Sequence, residues 1–387
     1  MLASALLAGG AAGWASAQQG LSALQIDVDA VTRSARGAVV TVSAERIILA
    51  RSSGTGERRP RPHTRVGTGV AVAENEVLTT ASVVAGSARI TLTASNGLQS
   101  EAELIGLDEV YNVALLRVKS LRLPPLHFAE TRPAEIGDWV IALGRSYGMK
   151  TTQSVGYVSY RYREPHSSLI QTTNTVYPGN SGGAALNAAG QLVGLIQGEL
   201  ANRDAYRLEI DERNPASVTF VLPAEVARSV YDDLKREGRV RHGYLGVSTS
   251  AANVPSDTRP GTDVPIGARV ERVAPGGPGE KAGLKVGDLI VGYGDERVEF
   301  PAQLARWVST SKPGTVIGLV WVRNDFQQSE RVTLTESPYG APQWSGRVPT
   351  ETEEKKRIAE LERRIQEINR EIGAIKGKRP SPSLLSR

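Results

Sequence analysis

Short β-branched and apolar runs, cut every few residues by glycine, proline or other turn formers, restrict the folds open to this chain more than any other feature. From about Ala38 to Val221 they recur as Ala38 to Val42, Val66 to Val72, Arg89 to Leu92, Val113 to Val118, Trp139 to Leu143, Val155 to Val158 and Leu192 to Leu195. Each is short for a helix, and the β-branched content suits a pleated surface. Strands at this spacing predict an all-β domain, closed or sandwich-like. With 387 residues, 40% of them hydrophobic, the chain can bury two ordinary cores. Its 40 glycines and 21 prolines supply the turns.

Pro223 to Glu237 breaks the strand pattern. Val226, Val230 and Leu234 recur every four residues and Gly238 stands at a C-cap position, so a helix closes the first domain, taken as 18–238. A second unit, 239–338, holds strand candidates Ala268 to Val273, Leu289 to Tyr293 and Val316 to Val322, and a helix over Pro301 to Val308. A linker, 339–350, precedes a Glu/Lys/Arg/Ile-rich segment over 351–377, and 378–387 form a tail. Ile358, Leu361, Ile365, Ile368, Ile372 and Ile375 alternate steps of three and four, an a/d seam whose isoleucines favour three or four strands. About three heptads are few for an independent coiled coil, so a single amphipathic helix docked on its own chain is an equal alternative.

Composition narrows function mainly by exclusion. No cysteine is present, so disulfides and thiolate metal sites are ruled out; no cofactor and no metal site is expected. Leu2 to Trp14 is an Ala-rich apolar run ending in Ala15-Ser16-Ala17, read as a signal peptide over 1–17 and hence as export to the periplasm or cell exterior. The net charge of +5 derives partly from Arg51, Arg58, Arg59, Arg61 and Arg65 in a Gly/Pro/Ser-rich stretch, expected to be a solvated loop. Without aromatic interleaving it does not predict nucleic-acid binding.

The most chemical string is Tyr177-Pro178-Gly179-Asn180-Ser181-Gly182-Gly183, trailed by Gly190-Gln191-Leu192-Val193-Gly194-Leu195. Glycines on both sides of a serine let the backbone turn sharply and aim N–H groups and a hydroxyl at one point, the requirement of a reactive-serine loop.

With Val66-Gly67-Thr68-Gly69-Val70, Leu78-Thr79-Thr80-Ala81-Ser82-Val83-Val84, Asn112-Val113-Ala114-Leu115-Leu116 and Ile170-Gln171-Thr172, this loop resembles the HtrA/Deg family. The resemblance spans roughly Ala38 to Pro338. It implies a mostly β protein, a chymotrypsin-like double β-barrel followed by one PDZ domain of α+β type, to which the heptad spacing adds the C-terminal amphipathic or coiled-coil helix. It also implies that Ser181 holds the nucleophile position, Ser82 the place of the general-base histidine and Asn112 that of the orienting aspartate. Two of three triad positions are therefore changed. A serine hydroxyl needs a base to take its proton and return it to the leaving amine, and neither Ser82 nor Asn112 can do so near neutral pH. Such losses cost on the order of a million-fold in turnover. None of the four histidines, His63, His127, His166 and His242, lies in a segment the family uses for its base; His166 is the nearest to a substitute.

By the same resemblance Gly179 and Ser181 offer an oxyanion hole, and Leu195, Ile196 and Gln197 line the pocket for the side chain before the scissile bond. Tyr244-Leu245-Gly246-Val247 and the stretch Ala274 to Asp288 resemble a PDZ module. There the loop would capture a chain-terminal carboxylate and the following strand pair with the peptide. Leu304 and Val308 would border the groove or simply fill the core. The reading is an exported, non-catalytic polypeptide-binding protein with a chaperone-like, regulatory or adaptor role in envelope protein quality control. Its expected partners are unfolded polypeptides or protein C-termini, further copies of itself with a trimer favoured, and active relatives, with no nucleic acid. Two rivals stand beside it: an active serine endopeptidase with a relocated base, and an envelope structural protein assembled through the C-terminal helix.

Overall fold

The computed structural model describes residues 22–51, 58–130, 132–148, 150–161, 169–197, 219–255 and 263–338. The expected signal peptide, linker, coiled-coil segment and tail, and His166, lie outside the described residues.

A helix over 22–35 (α1) packs Val28, Val31 and Ala35 into the main core. Six strands then close the first barrel: β1 (Val39–Arg51), β2 (Arg58–Ala73), β3 (Glu76–Thr79), β4 (Arg89–Thr93), β5 (Gln99–Asp108) and β6 (Val113–Val118). Their order around it is β1-β2-β3-β6-β5-β4, and a one-turn helix, α2 (Ala81–Val84), follows β3. The second barrel is β7 (Trp139–Gly144), β8 (Thr152–Arg161), β9 (Ile170–Thr172), β10 (Ala184–Leu186), β11 (Leu192–Ile196) and β12 (Thr219–Pro223), ordered β10-β11-β12-β9-β8-β7. Closure leaves no open sheet edge around either barrel.

The near-continuous apolar runs of β7 and β11 follow from burial on both faces. Val140 and Ala142 fill the second barrel, while Ile141 and Leu143 between them join the larger core built on the first barrel. Period-two alternation thus distributes one run between two cores. α3 (Ala224–Glu237) lays Ala227, Val230 and Leu234 on that larger core, and Gly238 ends it left-handed, φ 70°, donating to Leu234 O at 2.8 Å.

The third sheet comprises β14 (Val247–Pro255), β15 (Asp263–Val273), β16 (Leu289–Tyr293), β18 (Val316–Arg323) and β19 (Phe326–Thr333), in the order β14-β15-β16-β18-β19. Two short strands, β13 (Gly243–Tyr244) and β20 (Thr335–Glu336), pair with each other, and β17 (Glu296–Arg297) pairs with β16. The helices α4 (Pro278–Lys281) and α5 (Pro301–Thr310) complete the domain, whose core holds Tyr293, Trp307, Leu319 and Trp321. The architecture is mostly β: two chymotrypsin-like barrels followed by a PDZ domain.

One expectation is overturned. Arg51 and residues 58–65 of the basic stretch are strand, not loop: β1 and β2 form a long antiparallel pair in register from Val39↔Val70 to Arg51↔Arg58. Extended pairing satisfies the backbone in spite of the turn-forming composition, and prolines are tolerated because this part of β2 is an edge.

The PDZ domain docks on the first barrel through a small polar cluster. Asp108 accepts from His242 Nε2 through Oδ2 and from the Tyr111 N–H through Oδ1 at 2.7 Å. The other nitrogen of His242, Nδ1, reaches Ser309 O at 2.6 Å, and Tyr111 Oη donates to Thr310 O at 3.2 Å. Burial, helped by the Asp108 charge, pushes the Tyr111 phenol up to about 12.

Candidate functional site

The serine loop lies where the barrels meet, and Thr68 on β2 ties it down. Its N–H donates to Ser181 O at 2.9 Å and its Oγ1 to Gly179 O at 2.6 Å, while the Arg145 N–H donates to that same Oγ1 at 2.8 Å. Inside the loop the Gly182 N–H bonds Ile196 O at 2.7 Å and the Gly183 N–H bonds Asn180 O at 2.9 Å. Two glycines are obligatory here. Gly182 has φ +86°, and a Cβ on it would lie 2.1 Å from Thr68 O. At Gly179, φ is +98° and a Cβ would meet Tyr147 N at 2.7 Å. Neither the Gly179 nor the Ser181 N–H has an acceptor among the described residues. That pair of donors is what a carbonyl oxygen in the cleft would require.

Around Ser181 the side chains form a neutral chain. Ser82, in α2, donates its N–H to Asn112 Oδ1 at 2.8 Å, and its hydroxyl lies 3.3 Å from Thr80 Oγ1. Asn112 has φ +51°, a left-handed conformation that Asn tolerates better than most residues. Its Nδ2 donates to Gln197 Oε1 at 3.0 Å. Gln197 is only 2% exposed, and its Nε2 is a buried donor with no acceptor among the described residues. The segments bearing Ser82, Asn112 and Gln197 therefore converge, but no hydrogen bond joins Ser181 to Ser82 or Asn112 among the described residues. Leu195 and Ile196 are fully buried, one in the larger core and the other in the second barrel.

The described histidines lie elsewhere. His63 pairs with Arg46 across the β1–β2 hairpin, and the backbone oxygen of His127 accepts from the Leu192 N–H at 2.8 Å. His242 is held by Asp108 and Ser309 at the PDZ boundary. No group of ≥ 3 His, Asp or Glu side chains among the described residues could hold a metal ion. The sequence reading missed Arg65, on β2, whose Nη1 donates to Ser82 O. Its assignment to a loop concealed this contact.

In the PDZ domain, Gly246 takes φ +80°, and its oxygen accepts from the Ala274 N–H at 2.8 Å while Leu245 O accepts from Gly279 at 2.7 Å. Both carbonyls are thereby turned away, and the N–H groups of Leu245 and Gly246 have no acceptor among the described residues. Tyr244 ends β13 and Val247 opens β14, which pairs only with β15 and so forms an edge able to take an added strand. Leu304 and Val308 lie in the domain core, 2% and 8% exposed.

Residues 67–195 match the trypsin-like peptidase domain family and residues 269–323 the PDZ domain family. The chain is 32% identical over 289 residues to a probable periplasmic serine endoprotease, DegP-like, of Chlamydia trachomatis, covering 73% of this chain and 56% of that protein. It is 33% identical over 285 residues to the like-named protein of Ectopseudomonas mendocina, covering 72% and 58%. The chain thus spans little more than half the length of these relatives. Among solved structures, the serine endoprotease from Yersinia pestis superimposes with a TM-score of 0.56 at 28% identity, covering 80% of this chain and 98% of that one. The HtrA-type protease AlgW with a decapeptide superimposes with a TM-score of 0.59 at 23% identity, covering 80% and 99%, a likeness of fold. Two barrels meeting at a glycine-framed serine, followed in the chain by a PDZ domain, are thus shared with the DegP-like and HtrA-type proteins that this chain resembles.

Proposed function

We propose that this protein is a non-catalytic HtrA homologue that binds polypeptides in an exported, periplasmic setting. One observation carries the reading. The positions that would supply base and orienting acid are filled by Ser82 and Asn112, and these bond each other and Gln197 instead of activating Ser181. A neutral amide and a hydroxyl cannot cycle a proton at pH 7, so the serine stays a weak nucleophile. The donors for a peptide carbonyl persist without the chemistry, as does the open edge of β14. Relatives named as periplasmic endoproteases support the compartment. Within that setting a chaperone-like, regulatory or adaptor role fits, together with self-association and partnership with active relatives.

The test is hydrolysis of casein by the natural chain, by Ser181→Ala and by the double variant Ser82→His with Asn112→Asp. The natural chain and Ser181→Ala are expected to be equally silent, and the repaired variant to cut. Cleavage by the natural chain that Ser181→Ala abolishes would mean that another base serves Ser181, and the reading would be withdrawn.

A further inference from the structure

The β1–β2 hairpin runs well past the first barrel. β1 pairs with β4 only over 41–45, and β2 pairs with β3 only over 70–73. From Arg61 to Val66 the outer edge of β2 has no partner strand among the described residues. The cross-strand register sets Arg65 opposite Ala44 and His63 opposite Arg46. Side chains alternate along a strand, so Arg61, His63 and Arg65 share one face with Arg46, and Glu45 belongs to the other. No ion pair joins Arg46, Arg61 or Arg65 to a carboxylate among the described residues, and Arg46 Nε is a buried donor without an acceptor. The row begins at the serine site, because Arg65 bonds Ser82 O. Burial, and then the neighbouring Arg46 charge, holds the Arg65 guanidinium below its ordinary pKa, as expected of a cationic group lacking a counter-charge.

We propose that this hairpin face binds an acidic stretch of an extended polypeptide, which adds to the free edge of β2 as it leaves the Ser181 cleft. The inference rests on the polypeptide-binding reading and adds a substrate class to it. Thr68 turns its N–H outward to Ser181 O, so in the unshifted register Thr64 and Val66 face outward as well and offer N–H and C=O groups to an added strand, while Pro62 offers only its carbonyl. Carboxylates at every second peptide position would fall opposite the alternating cations. A single-stranded nucleic acid offers the same charge, but it binds through aromatic platforms, and the face formed by Arg46, Arg61, His63 and Arg65 carries none.

The experiment is fluorescence anisotropy on the full chain with a labelled dodecapeptide bearing Glu at alternate positions and an amidated C-terminus, which denies the PDZ loop its carboxylate. A second peptide carries Gln for every Glu, and a third is apolar with a free C-terminus. The acidic peptide should bind, weaken with salt, and lose about three- to tenfold in affinity in Arg61→Gln with Arg65→Gln, because each such pair contributes up to about fivefold. Arg61 is exposed, so Arg61→Gln alone should weaken binding without disturbing the fold. The free-ended apolar peptide should be unaffected by either variant. Equal affinity for the Glu and Gln peptides, undiminished binding by the double variant, or tighter binding of a single-stranded oligonucleotide of equal charge would each overturn the proposal. If only the free-ended peptide binds, this inference alone fails; if no peptide binds, the polypeptide-binding reading fails with it.

Discussion

Replacing His242 with alanine should loosen the PDZ domain from the first barrel, and the effect should depend on pH. The ring lies between two groups that can only accept, Ser309 O at 2.6 Å from Nδ1 and the Asp108 carboxylate at Nε2. The imidazolium, with a proton on each nitrogen, is the form that satisfies both. Burial disfavours that charge, but the bond to Asp108, its negative charge, the Ser309 carbonyl and the more distant Asp233 outweigh it, so the pKa is raised. Tyr111 on the barrel side remains neutral throughout, its pKa raised to about 12 by burial and the Asp108 charge, with the Arg306 charge on α5 opposing the rise. The His242 and Asp108 side chains are 14% and 2% exposed. Removing one member of a buried pair costs about 3–5 kcal/mol; the residual solvent contact of His242 places it near or just below that range, at about 2–3 kcal/mol. That corresponds to a fall of roughly 4–10 °C in midpoint. A raised folded pKa makes this stabilisation complete below about pH 6.5, and it is lost as pH rises through the folded value, when the ring has one proton for two acceptors. Denaturant titrations of the natural chain, His242→Ala, Asp108→Asn and the double variant, between about pH 5.5 and 8.5, measure the coupling. A cost for His242→Ala below about 0.5 kcal/mol, with a difference from the natural chain that stays flat with pH, would refute the argument.

Two further outcomes follow from other contacts. Glu76 is buried and accepts from Tyr231 Oη at 2.6 Å and Lys235 Nζ at 2.8 Å; burial would raise its pKa, but these two bonds and the Lys235 and Arg117 charges bring it below the ordinary value. Its contribution is present above about pH 4.3 and fades as pH falls through the lowered folded pKa, so Tyr231→Phe should cost about 1–2 kcal/mol at neutral pH and less in acid, measured by denaturant unfolding. Gly182→Ala should cost more than about 2 kcal/mol in a thermal melt, because φ +86° is strained for alanine and its methyl would sit 2.1 Å from Thr68 O.

The strands whose apolar residues feed two cores were plain in the sequence, and β6 and β16 have the bounds read there, because burial on both faces leaves a continuous apolar run. β5 was not read, since half of Gln99–Asp108 is polar and the strand draws its order from its neighbours, whereas β14 was foreseen only as the strand after the Leu245-Gly246 loop, without bounds. α3 was legible from its spacing and its glycine cap, whereas α1 carries only three buried apolar residues before the first barrel. At the site, residue types led to the expectation, on which the proposed function rests, that Ser82 and Asn112 stand in place of the proton-transfer groups. Arg65 could not be placed from composition, because Gly, Pro and Ser around it signalled a turn where cross-strand pairing prevailed. The Asp108–His242 contact spans 134 residues of separation, which no local pattern reports.

Thr68 gives the serine loop its shape from outside the triad. Its backbone and hydroxyl hold Ser181 and Gly179 from the neighbouring barrel, and none of those bonds requires an imidazole or a carboxylate. Form and reactivity at this centre are therefore separable under mutation. On the proposed reading, exchange of the two proton-handling residues would leave these bonds, and the loop they shape, in place. The reverse does not hold, since losing the threonine hydroxyl would deform the loop whether or not it still performs chemistry. Selection for a peptide-shaped surface alone would thus preserve Thr68 and the flanking glycines, while position 112 would still favour residues that tolerate its left-handed backbone.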